Sequence, residues 1–155
     1  MTTNEPIERV SLGSRRTIRL LTTKQSCLVA EPGPRLSGPA CAAGVLMRLI
    51  GEEDREHFVA LHLDTAHHIV AAVTVSIGTL NQALIHPREV FKAAILSNAQ
   101  SIICGHNHPS GDVVPSKEDR FAARKLEAAG ELLGIPVLDF LIVSSTAFHS
   151  LKEER

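Results

Sequence analysis

The sequence contains no tryptophan and no tyrosine, and its only aromatic residues besides histidine are five phenylalanines. A hydrophobic core must therefore be built from aliphatic side chains, and few rings are available for stacking on nucleic-acid bases. The formal net charge is −1, so the chain has no overall electrostatic attraction for nucleic acid. Both features argue against direct nucleic-acid binding.

Cysteines and long apolar runs are also scarce. The three cysteines, Cys27, Cys41 and Cys104, are widely spaced and form no C-x-x-C pair, so neither a disulfide framework nor a cysteine zinc site is indicated. No apolar run approaches the ~20 residues that a membrane helix needs. The N-terminus has no signal-peptide pattern. We therefore expect a reduced, cytoplasmic protein that does not enter a membrane.

Helical and strand patterns alternate along the 155 residues, a length that suits one domain. Apolar residues at helical spacing predict three helices, at 39–50, 87–99 and 117–133. Apolar and β-branched runs predict five strands, at about 17–22, 57–64, 67–78, 101–105 and 136–144. The second and third of these look like an antiparallel pair, and residues 79–86 are ambiguous. The alternation predicts an α/β sandwich, a mixed β-sheet flanked by helices.

The segment 103–120, ICGHNHPSGDVVPSKEDR, concentrates the polar chemistry of the chain. We expect His106 and His108 just beyond a strand, on a turn outside the sheet, and Asp119 in the first turn of the next helix. Prolines and glycine between them allow the chain to bend back. Two imidazoles and one carboxylate form a common ligand set for catalytic zinc, with the fourth position open. Cys104 is the only nearby fourth ligand, and its strand position favours burial instead.

A simpler interpretation exists for part of this segment. Ser116 and Asp119 form the pattern S-x-x-D of a helix capping box, and a cap explains both residues without a metal. The two histidines shift the balance towards a ligand set, and iron would suit the same donors. A nucleobase deaminase is excluded, because its H-x-E and P-C-x-x-C motifs are missing.

The stretch HNHPSGDVVPSKED resembles the JAMM (MPN-plus) zinc metalloprotease signature, in the form carried by bacterial RadC-like proteins. The resemblance continues through DREHFVALHLD (54–64), GTLNQALIHPREVFKAAI (78–95) and AGELLGIPVLDFLIV (129–143). It implies a JAMM/MPN fold, which is cytidine-deaminase-like, as a catalytic domain over residues 39–150. We expect residues 1–38 to form a basic arm and loop with one short strand, and 151–155 to form a tail. RadC-like proteins usually also carry an N-terminal helix-hairpin-helix region, which this chain is too short to contain.

The resemblance also implies roles for individual residues. His106, His108 and Asp119 would bind one zinc ion per chain, Ser116 would donate to a developing oxyanion, and Glu56 would act as the general base. Without the resemblance, Glu56 is one acidic residue in a charged stretch. This chain has Phe140 where RadC-like proteins commonly have histidine, so a contact behind the ligands is expected to differ.

The implied activity is hydrolysis of peptide or isopeptide bonds in a protein or peptide substrate. Two alternatives remain: a non-catalytic module, and an accessory role in DNA repair or recombination, the label carried by RadC-like proteins. Exposed parts of the strand at 67–78 could also pair across a homodimer.

Overall fold

A computed structural model of the protein describes residues 33–78 and 85–154, together with two short N-terminal strands. These strands, β1 (Arg9–Ser11) and β2 (Thr17–Arg19), pair antiparallel with Val10 opposite Ile18. The second overlaps the strand predicted at 17–22, whose last three residues lie outside the described residues. The sequence pattern predicts no strand at β1, because three residues are too few to show a period.

Five strands form one mixed sheet in the order β4-β3-β5-β6-β7. β3 and β4 confirm the predicted antiparallel pair, β5 and β6 are parallel, and β7 closes the other edge antiparallel to β6. β7 has three residues and no sequence pattern predicts it. The strand bounds are β3 His57–Leu63, β4 Ile69–Ile77, β5 Ser101–Asn107, β6 Val137–Val143 and β7 Phe148–Ser150.

Helices cover both faces of this sheet and confirm the α/β sandwich. α1 (Pro39–Ile50) packs on one face, whereas α2 (Pro87–Leu96) and α3 (Lys117–Leu133) share the other. α1 and α3 have the predicted bounds. α2 ends three residues early, because Asn98 adopts a left-handed backbone conformation with φ of 52°. No helix in the described part of the chain is long and apolar enough to cross a membrane.

The central strand β5 differs from its prediction in one respect that matters for the site. It continues to Asn107, so His106 lies within the sheet, opposite Phe58 on β3 and Ile142 on β6. The expectation that both histidines lie on a turn was therefore wrong for His106 and holds only for His108. The polar residues after Gly105 suggest a strand end, but hydrogen bonding to neighbours on both sides extends the strand.

Gly105 allows α1 to pack tightly against this strand. A Cβ atom added at this position would lie 2.4 Å from Cδ1 of Leu46 and 3.1 Å from the carbonyl oxygen of Leu141. Leu46 is fully buried, so its side chain has little room to move. The glycine next to His106 is thus required by packing on the opposite face of the sheet.

Candidate active site

Three potential metal ligands converge where the end of β5 meets the first turn of α3. Nε2 of His106 lies 2.9 Å from Nε2 of His108 and 3.2 Å from Oδ1 of Asp119. Nε2 of His108 lies 3.6 Å from Oδ2 of the same aspartate. Within the described ranges, this is the one group of three histidine, cysteine or acidic ligand atoms close enough to hold a metal ion.

These separations fit a small tetrahedral cation. A zinc ion bound at 2.0–2.1 Å by tetrahedral ligands has its ligand atoms about 3.3 Å apart. Nε2 of His108 and Oδ1 of Asp119, at 2.9 and 3.2 Å from Nε2 of His106, lie close to that value. The 3.6 Å separation from Nε2 of His108 involves the other carboxylate oxygen, Oδ2. Two imidazole nitrogens and a carboxylate oxygen are donors that zinc accepts, and three protein ligands leave a fourth position open. The residues present therefore fit one zinc ion.

The tautomer of His108 is set by a neighbouring carbonyl. Its Nδ1 lies 2.7 Å from the carbonyl oxygen of Asp112, to which it donates a hydrogen bond. In the neutral ring Nε2 therefore carries the lone pair that faces the other two donors, whereas in the protonated ring Nε2 donates to Asp119. The carboxylate of Asp119 raises the pKa of His108, although burial acts in the opposite direction.

The carboxyl group of Asp119 is held in its ionised form. Burial raises its pKa, but hydrogen bonds with His106 and His108 outweigh burial and hold the pKa well below its usual range. An ionised carboxylate is the form that a cation needs.

Asp119 also caps α3, using its other oxygen. Oδ2 accepts hydrogen bonds from the backbone N–H of Ser116 at 2.8 Å and from its hydroxyl at 2.6 Å, and Ser116 Oγ accepts from the N–H of Asp119 at 3.1 Å. The predicted capping box is thus present, while Oδ1 faces His106. The Ser116 hydroxyl must turn away from Oδ2 before it can donate elsewhere.

His106 is buried between two aromatic rings. Its imidazole stacks on Phe58 at 6.4 Å between centroids and meets the edge of Phe140 at 5.5 Å. Its Nδ1 has no hydrogen-bond partner among the described residues. The phenylalanine at position 140, where RadC-like proteins commonly have histidine, thus places an apolar ring against His106 and leaves the three candidate donors intact.

The remaining two predicted site residues share a cavity with these donors. A cavity of about 480 Å³ is lined by Glu56 and Ser116 as well as by His106, His108 and Asp119. Glu56 is half-buried just before β3, and its carboxylate forms no hydrogen bond or ion pair with another described residue. The structure therefore brings all five predicted residues to one cavity.

Asn107 contributes a contact that sequence reasoning missed. Asn107 is buried, and its side-chain amide holds the segment that carries Glu56. Oδ1 accepts from the N–H of His57 at 2.7 Å, and Nδ2 donates to the carbonyl oxygens of Glu53 at 3.2 Å and Arg55 at 2.8 Å. Sequence reasoning could have indicated this role only if it had extended the predicted strand from residue 105 to residue 107.

Other candidate ligands are engaged elsewhere. Cys104 is fully buried in the core beneath α2 and α3, as predicted, and burial raises the pKa of its thiol to about 12. The imidazole of His86 caps α2 by accepting from the N–H of Arg88. Three further histidines contact other side chains: His62 contacts Ser97, His68 contacts Asp64, and His149 contacts Glu154.

The sheet order, the helices on both faces and the donor cluster at the end of the central strand together define a single small α/β domain of the JAB/MPN type. The family profile described as RadC-like JAB domain matches residues 36–155. The chain belongs to this family.

Three bacterial relatives, each named UPF0758 protein, show how much of the chain is shared. The protein of Desulforamulus reducens is 44% identical over 134 residues, which is 86% of this chain and 59% of that protein. The protein of Rubrobacter xylanophilus is 49% identical over 124 residues, which is 79% of this chain and 54% of that protein. The protein of Shouchella clausii is 48% identical over 120 residues, which is 77% of this chain and 52% of that protein. The chain thus spans between half and three fifths of these relatives, whose names state no activity.

Proposed function

We propose that this domain is a zinc-dependent hydrolase of peptide or isopeptide bonds that acts in the cytoplasm on a protein or peptide substrate. One observation carries the proposal. Two imidazole nitrogens and an oxygen of an ionised carboxylate lie within 4.8 Å of one another in a cavity that Glu56 also lines, and the Glu56 carboxylate forms no hydrogen bond or ion pair among the described residues.

One zinc ion per chain would be held by Nε2 of His106, Nε2 of His108 and Oδ1 of Asp119. When bound there, zinc supplies a Lewis acid that polarises a carbonyl oxygen and acidifies water. The protein arrangement supports this use because the His108 tautomer, the Asp119 charge and the aromatic packing of His106 are all in place without further rearrangement.

Glu56 is the proposed general base and acid. Its carboxylate would accept a proton from water as the water oxygen bonds to the carbonyl carbon, and would return that proton to the nitrogen as the C–N bond breaks. A free carboxylate suits both steps, since no described residue competes for it. The Ser116 hydroxyl would rotate from Asp119 Oδ2 to donate to the carbonyl oxygen as negative charge develops there.

The alternative, a non-catalytic or accessory DNA repair protein, accounts less well for this cavity. A scaffold has no need of an ionised aspartate beside two imidazoles or of a glutamate in the same cavity that has no hydrogen bond or ion pair among the described residues. A homodimer remains part of the proposal, because β4 is an edge strand that exposes Val70 and Ile77.

Metal content tests the site. We expect near-stoichiometric zinc in protein purified without added metal, and loss of that zinc in His108→Ala and Asp119→Ala while the circular dichroism spectrum is unchanged. Ser116→Ala is the matched control, because it removes the cap but no ligand. It should keep its zinc and lose about 1 kcal/mol of stability.

Activity is tested next with a peptide library. We expect cleavage that chelators abolish and that Glu56→Gln loses while it retains zinc. A wild-type protein without metal, in which Asp119→Ala costs only the ~1 kcal/mol of a lost cap, would refute the hydrolase.

A further inference from the structure

One wall of the cavity carries a regular pattern of side chains that the proposed chemistry does not use. Lys117, Phe121 and Lys125 lie four residues apart on α3, and all three line the cavity. We call these three residues the α3 stripe. Residues four apart share one face of a helix, so a ring lies between two ammonium groups.

The members of the stripe are available for contact. Phe121 is 61% exposed, which is unusual for one of the few aromatic side chains in the protein. Both lysines are exposed, and neither forms an ion pair with a residue in the described ranges. Because all three side chains line the cavity, a ligand held there would have an apolar ring and two unpaired cations within reach.

We infer that the α3 stripe binds an extended substrate peptide with the pattern acidic–x–apolar–x–acidic, an inference that rests on the proposed function. Side chains four residues apart rise about 6.0 Å along a helix. Alternate side chains of an extended peptide repeat every 6.6–6.8 Å or so. The two repeats nearly match over three positions, so each ammonium group can face a carboxylate while Phe121 faces the apolar side chain.

The other charges of the cavity favour a peptide over a nucleic acid. Glu56, Glu118 and Asp119 line the same cavity as the two lysines. A phosphodiester backbone carries a charge at every nucleotide and would place some of them against these carboxylates. A peptide can put uncharged residues there and still present two acidic groups to the lysines.

Binding is measured by fluorescence anisotropy on zinc-loaded Glu56→Gln protein, which retains the metal donors and stops turnover. The probe is a fluorescein-labelled peptide, Gly-Glu-Ala-Leu-Ala-Glu-Gly, and the matched peptides carry lysine for both glutamates or alanine for leucine. We expect the acidic peptide to bind best. The double variant Lys117→Glu, Lys125→Glu should weaken it about fivefold to tenfold. Phe121→Ala should remove the preference for leucine.

Arg124→Glu is the matched control, because Arg124 is exposed on the same helix but does not line the cavity. It should leave the affinity unchanged. Equal affinity for acidic and basic peptides, no binding up to about 1 mM, or displacement of the probe by a short single-stranded oligonucleotide would overturn the inference.

The same experiment separates this inference from the proposed function. Charge-selective binding without hydrolysis by the wild-type protein would support the α3 stripe and refute the hydrolase. Hydrolysis that is indifferent to acidic residues would support the hydrolase and refute the stripe.

Discussion

Replacing Asn107 with alanine tests how the segment that carries Glu56 is held in place. The amide of Asn107 makes three hydrogen bonds to the backbone of residues 53–57, and the asparagine lies between His106 and His108 in the chain. The substitution removes these three bonds and leaves both imidazoles and Asp119 unchanged. It therefore separates the attachment of Glu56 from the donor cluster.

The magnitude follows from the three bonds that are lost. A hydrogen bond contributes about 0.5–1.5 kcal/mol net, and more when the abandoned partner stays buried. Glu53 and Arg55 are exposed, so their carbonyl groups can bond to water in the variant, whereas the N–H of His57 is less accessible. We expect a loss of about 2 kcal/mol in the free energy of unfolding.

Urea unfolding measures this loss, with zinc content and peptide hydrolysis measured on the same samples. We expect a lower transition midpoint and unchanged zinc stoichiometry. We also expect kcat to fall about tenfold, because the segment that carries Glu56 is no longer held in its position in the cavity. Ser110→Ala is the control, because Ser110 is exposed in the turn that follows β5 and its hydroxyl accepts only a long 3.4 Å contact. Its stability should change by less than about 0.5 kcal/mol.

Two outcomes would refute the reasoning. A loss below about 0.5 kcal/mol in Asn107→Ala would mean that the three hydrogen bonds do not hold the segment. Loss of zinc together with stability would mean that Asn107 supports the ligands themselves.

Two further predictions concern the core. Burial lowers the pKa of His62 to about 4, so the unfolded chain takes up a proton first as the pH falls below about 6.5. Between pH 7 and 5 the free energy of unfolding should therefore fall by about 2 kcal/mol more in wild type than in His62→Gln. Equal pH dependence of that free energy in the two proteins, measured by urea titration, would contradict this. Gly105→Ala should cost about 1–3 kcal/mol, because its Cβ would overlap Leu46. At Gly44 in α1 an added Cβ would have only one neighbouring atom within 4 Å among the described residues, at 3.9 Å. Gly44→Ala should therefore be neutral or stabilising in the same unfolding assay.

Local patterns were sufficient for most of the fold. The β-branched runs of β3 and β4 and the apolar spacing of α1 and α3 involve residues close together in the chain, and the structure confirms those elements. The sequence predictions are wrong or incomplete where contacts between residues far apart in the chain determine the extent of a strand. β5 reaches Asn107 because β3 and β6 hydrogen-bond to it on both sides, and β7 exists only as a partner of β6.

The donor set was likewise visible in the sequence, as two histidines and an aspartate at signature spacing. Glu56 came only from the resemblance, because one carboxylate in an acidic stretch carries no local signal. The tertiary structure alone decides that Oδ1 of Asp119, the residue that caps α3, faces His106, and that Asn107 holds the Glu56 segment. Residue types and helical spacing are encoded locally, but the contacts of Asn107 join positions about 50 residues apart through the pairing of β3 with β5. Only a folded sheet can bring such positions together.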